Sequence, residues 1–128
     1  MLRQLLIVLL LTATPALAQS DVTCEAVTIW HEAGNQGDVG KRAVLDVIRH
    51  RAKVLRKSSC DVVKQHGQFS FVRKNFKWKL TQNILHDWQK ADTMGAVLEG
   101  AWYFNSSKRI RKYKFYKRIG AHNFYYRK

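Results

Sequence analysis

Asp21-Val22-Thr23-Cys24-Glu25-Ala26-Val27-Thr28-Ile29-Trp30-His31-Glu32-Ala33-Gly34 is the stretch on which the fold turns. Its apolar residues Val22, Ala26, Ile29, Trp30 and Ala33 recur at spacings of three and four, which is one face of a helix. Asp21 can cap the start, and Gly34 and Gly37 break the far end. A second helix should begin near Asp38 or Val39. Its apolar stripe is Val39, Ala43, Val44, Val47, Ile48, Ala52 and Leu55. Its other face carries Lys41, Arg42, Arg49, Arg51, Lys53 and Arg56.

Outward from these helices the pattern loosens. Ser58-Ser59-Cys60-Asp61 reads as a turn that caps a short helix through Val62 and Val63. Gln68-Phe69-Ser70-Phe71-Val72 alternates, as a strand or extended loop does. Thr81 can cap a third helix with Ile84, Leu85 and Trp88 inward. Asp92 or Thr93 can cap a fourth, with Met94, Val97, Leu98, Ala101 and Trp102 inward. The tail from Lys108 to Lys128 is basic and aromatic, with no helical period. The expected fold class is mostly α with a little strand (α+β), in one small domain.

The chain opens on Met1 and Arg3, then the apolar run from Leu5 to Leu11, then Pro15 and Ala16-Leu17-Ala18. This is the pattern of a secretory signal peptide over residues 1–18, cleaved after Ala18. The run is too short to span a bilayer, which takes roughly 20 apolar residues. The alternative is a retained N-terminal anchor. Residues 19–128 then form the mature domain, long enough for one core and too short for two. The expected address is the periplasm or the extracellular space.

Twenty-three Lys and Arg stand against nine Asp and Glu, and removing the signal takes away only Arg3. Such a charge concentrates near anionic polymers. Nucleic acid is the usual first candidate, but export replaces it with anionic envelope polymers and membrane surfaces. Cys24 and Cys60 are the two cysteines. In an exported chain they suggest one disulfide, the alternative being two unpaired thiols. They make a poor zinc site, and His31, His50, His66 and His86 show no metal-ligand spacing. No metal or other cofactor is expected.

Glu32 is the most informative residue. It sits at the end of the first helix, with Ile29, Trp30 and Ala33 around it in sequence. A carboxyl against an aromatic wall loses solvation, so its pKa rises. The negative end of the helix dipole acts in the same direction. Such an acid can hold a proton near neutral pH and give it to a leaving oxygen. The plain alternative is a surface Glu at a helix end. A two-carboxylate glycosidase needs a partner roughly 5–10 Å away. Glu25 lies about 10 Å earlier along the helix axis, at the limit. Asp38 is itself a helix-cap candidate. No second acid stands out. His122, in Ile119-Gly120-Ala121-His122-Asn123-Phe124-Tyr125-Tyr126, can orient a substrate or hold a loop. The aromatic tail residues can stack on bases or sugars, or fill a core.

Taken in order, four blocks carry a resemblance. They are Glu32-Ala33 with Gly40-Lys41-Arg42-Ala43-Val44 and a helix ending in Arg51; Cys60-Asp61-Val62-Val63 with Gln68-Phe69-Ser70; Gly100 to Phe104; and Ile119 to Tyr125. Together they resemble the SleB-type cell wall hydrolases, known from spore-cortex-lytic enzymes and from phage and bacterial relatives. The resemblance implies a small lysozyme-like domain that cuts the glycan strand of peptidoglycan without a cofactor. It places the catalytic acid at Glu32 and a cleft-wall motif at Gln68, Phe69 and Ser70. Tyr103, His122 and Tyr125 fall at substrate-binding positions near the site. The stretch from Gly34 to Asp38 lacks the second Glu that the family often carries, His50 stands where Asn is common, and Asn105 where His is common. A single acid favours lytic transglycosylase chemistry over hydrolysis. The expected partner is the glycan strand, met by a monomer, with no nucleic acid. The competing reading is an exported, non-catalytic basic protein that coats anionic envelope polymers through its Lys/Arg tail.

Overall fold

The computed structural model describes residues 20–65 and 67–128. The signal-peptide reading of residues 1–18, and His66, lie outside the described residues. Four helices precede a small sheet: α1 (Asp21–Ala33), α2 (Asp38–Leu55), α3 (Ser59–Val63) and α4 (Gln82–Thr93), then β1 (Ala101–Asn105), β2 (Lys114–Ile119) and β3 (His122–Tyr126). The sheet is antiparallel in the order β1-β3-β2. This is the expected mostly-α, α+β single domain. Among the described residues no helix is long and apolar enough to cross a membrane.

The core forms around α2, which packs against α1, α3, α4 and β1. Val44, Leu45 and Ile48 are fully buried with Val62, Val63 and Phe124. Because α2 is covered on most sides, the charged face expected for it is only partly exposed. Lys41, Arg42 and Arg51 are buried, whereas Val39, expected inside, is exposed. Two of the three are in ion pairs, as burial favours, whereas Arg51 donates to neutral oxygens. Lys41 meets Asp87 at 3.2 Å. Arg42 Nε donates to Asp46 at 2.7 Å, and its Nη1 donates to the Ala91 and Asp92 carbonyls at the end of α4.

Ser20, one residue before the expected Asp21, caps α1, its hydroxyl accepting from the Thr23 amide. Asp21 instead accepts from the Cys60 amide at 3.1 Å, beside the Cys24–Cys60 disulfide that joins α1 to α3. The expected fourth helix after Asp92 does not exist. Helix α4 runs on to Thr93, and residues 94–100 form a loop with Gly95 and Gly100 at φ +80° and +73°. Those values interrupt a right-handed helix. The Asp46 carboxylate accepts from the Val97 and Leu98 amides at 2.8 Å each, satisfying backbone donors that have no helical partner. Trp102 is inward as expected, but from a strand. The tail folds into the β2–β3 hairpin, which turns at Gly120 with φ +55°.

Candidate active site

Helix α1 delivers Glu32 one residue before its end, next to a turn of only a few residues. Opposite stands the loop after α3, and β1 closes the third side. Glu32, Val47, Arg51, Gly67, Gln68, Phe69, Ser70, Trp102, Tyr103 and Phe104 line a cleft of about 230 Å³. Among the described residues Glu32 is its only carboxylate. It is half-buried, and among the described residues it has no ion-pair or hydrogen-bond partner. Burial raises its pKa above the ordinary 4.5.

Glu25, seven positions earlier on the same helix, has the opposite surroundings. It is buried, and it accepts from Arg49 Nε and Nη2, from the Ser59 hydroxyl at 2.7 Å and from Trp88 Nε1 at 3.1 Å. Its carboxylate is saturated and lines no part of the cleft. Asp38 is exposed at the start of α2 and also lies outside the cleft lining.

The cleft-wall residues Gln68, Phe69 and Ser70 come together with Glu32 as expected. Their segment is a loop of turns rather than a strand. Phe69 packs inward, 6.1 Å from Phe104 between ring centres, while Gln68 and Ser70 stay exposed. Tyr103 also reaches the cleft, its ring 4.9 Å from Tyr113. His122 and Tyr125 stand behind the wall instead. His122 is buried edge-on to Phe104, 5.2 Å between centres. Burial, then the charge of Arg118, lowers its pKa and favours the neutral ring. Tyr125 is fully buried, so it does not present a face to the substrate. Its hydroxyl donates to Asn105 Oδ1 at 2.9 Å and accepts from the Ile110 amide, tying β1 to the following loop.

Arg51, Trp102, Phe104 and Val47 were not anticipated as cleft residues. The Arg51 guanidinium lies 4.5 Å from the centre of the Trp102 ring, and Arg127 lies 4.3 Å from the same centre. Arg51 Nη1 also donates to the Trp102 carbonyl at 3.0 Å. A signal for Arg51 exists in the sequence. It follows Val47 by four and Ile48 by three, so it continues the apolar stripe of α2 rather than its polar face.

One contact fixes the far end of the site. The Gln36 carboxamide oxygen, in the turn after Glu32, accepts from the Ala121 amide at 3.0 Å. A side chain at Gly120 would run into the same oxygen. The α1–α2 turn is thereby held against the β2–β3 turn.

A lone, partly desolvated carboxyl in an aromatic-walled cleft has the makings of a general-acid centre. A family model described as Cell Wall Hydrolase matches residues 35–125, which is most of the chain. The chain belongs to the cell wall hydrolase family, and its substrate is peptidoglycan. The matched span begins just after Glu32 and covers the rest of the cleft. Comparisons with curated proteins and with solved structures return no match.

Proposed function

We propose that this chain cuts the peptidoglycan glycan strand as a lytic transglycosylase, with Glu32 as its single acid–base group. The isolation of Glu32 carries this reading: among the described residues it is the only carboxylate of the cleft and has no partner, and burial favours its protonated form. Glu32 protonates the oxygen joining C1 of N-acetylmuramic acid to N-acetylglucosamine. The C1–O bond breaks and positive charge collects at C1. No second carboxylate stands ready to attack that carbon or to activate a water. The acetamido group of the same sugar can hold C1 first, and its 6-hydroxyl then closes on it. Glu32, now a carboxylate, takes the hydroxyl proton. The products are a 1,6-anhydro end and a free N-acetylglucosamine hydroxyl. No water is consumed, and Glu32 ends as it began.

Gln68 and Ser70 offer polar groups to the sugar, and Tyr103 and Phe104 offer ring faces. His122 and Tyr125 hold that wall in place. Residues 1–18 export the chain, and the Cys24–Cys60 bond suits an oxidising compartment. Mass spectrometry of the released muropeptides tests the chemistry. Anhydro-muramic ends are expected throughout; reducing ends carrying the extra mass of water would show hydrolysis instead.

A further inference from the structure

A second concavity, of about 630 Å³, is built from residues that flank the cleft-wall loop in sequence. Lys64, Arg73 and Lys74 stand around it, and Val72, Phe76 and Trp78 supply its apolar surface. All three cations are exposed, no carboxylate lines the groove, and none of the three is in an ion pair among the described residues. Lys64 Nζ lies 5.5 Å from the centre of the Trp78 ring. The aromatic surface is braced from within. Phe76 meets Trp78 edge-on at 4.9 Å and Phe71 at 5.1 Å, while His31 of α1 stacks on Phe71 at 4.3 Å.

Lys64, Arg73 and Lys74 place three positive charges around one groove, and a carboxylate entering among them is attracted by all three. The apolar surface would take aliphatic side chains beside the carboxylates. The groove also neighbours the cleft. Gln65 lines it, and the Gln65 carboxamide oxygen lies 3.5 Å from Nη2 of Arg51, a cleft residue. Residues 68–70 form the cleft wall between the two halves of the groove lining. A ligand here can therefore belong to the same polymer that Glu32 meets. In peptidoglycan, the acidic groups nearest the scissile bond are the carboxylates of the short peptide carried by the muramic sugar.

We infer that this groove is a subsite for the acidic stem peptide of peptidoglycan, so that the enzyme reads the peptide as well as the glycan. The inference rests on the glycan-cleaving reading for its substrate, but its test does not need catalysis. A synthetic stem tetrapeptide is titrated into Glu32→Gln protein by calorimetry. A second titration uses the same peptide with its carboxylates converted to carboxamides. Binding of the acidic peptide is expected, at least tenfold weaker for the amidated form, and at least tenfold weaker again for Arg73→Ala/Lys74→Ala protein of unchanged melting temperature. Arg73→Lys should bind as the parent does. The double variant with Glu32 intact should lose its advantage for intact wall over amidase-stripped glycan, and cleave stripped glycan as the parent does. Absence of peptide binding, or equal binding of acid and amide, overturns the inference even if Glu32 proves catalytic. An inactive wild type that still binds the peptide through Arg73 and Lys74 would leave the groove standing and remove the cleavage reading.

Discussion

The two ends of α1 carry the same functional group in opposite circumstances. Near its start, Glu25 is enclosed by Arg49, Ser59 and Trp88, next to the disulfide that anchors α3. At its end, Glu32 faces a cleft and has no partner among the described residues. The hydrogen bonds to Glu25 occupy its oxygens and leave them unavailable for chemistry. Burial without such bonds keeps Glu32 ready to hold and release a proton. The two carboxylates of this one helix differ in who else reaches them.

That contrast can be broken from either end. Glu25→Ala should lower stability the most, by about 2–4 kcal/mol, because it strips the buried Ser59 hydroxyl and Trp88 Nε1 of their acceptor and leaves Arg49 only Asp92. Urea unfolding checks this. The protein that remains folded should keep its specific activity, and a selective loss of activity would mean that Glu25 takes part in the reaction. Gly120→Ala comes next. It forces a side chain into φ +55° against Gln36, with an expected cost of about 1–2 kcal/mol by the same measurement. Since that contact holds the turn after Glu32 against the sheet, activity should fall further than stability alone explains.

The smallest effect is the most telling about burial. A carboxyl whose pKa is raised by folding adds stability below its unfolded value of 4.5, and that contribution is lost as pH rises through the folded value. Glutamine imitates the protonated form. Glu32→Gln should therefore melt higher than wild type at neutral pH, with the gap closing below about pH 4. An unchanged melting temperature at every pH would mean that Glu32 is solvated. Wild-type activity should decline on the alkaline side as Glu32 loses its proton.

Much of the helical half was legible in the sequence. Spacing and end signals located α1 and α2 closely, the short α3 behind Ser58, and the start of α4 at Thr81. Two cysteines, with the expectation of export, predicted the disulfide. Glu32 was recognisable because an acid stood among apolar neighbours at a helix end. The sheet was harder. Val97, Leu98, Ala101 and Trp102 happen to keep helical spacing, while the features that forbid the helix are positive φ at Gly95 and Gly100 and a distant Asp46 that takes the loop amides. Irregular register between Ala101 and Tyr103, and between Phe115 and Lys117, blurs the alternation that marks strands. Arg51 and Lys41 were placed on the wrong face because a helix packed on most sides has no clear polar face to read. The positions of His122 and Tyr125 behind the wall depend on β3 lying centrally in the sheet, which local sequence does not encode.

The role of Glu32 is tested most directly by the initial rate at which purified peptidoglycan is solubilised. Wild-type and Glu32→Gln proteins are compared at equal folded concentration near neutral pH. A fall of about 100-fold or more is expected, the scale of a lost general acid, with folding intact. A Glu32→Gln protein that clears the wall at the wild-type rate would contradict it.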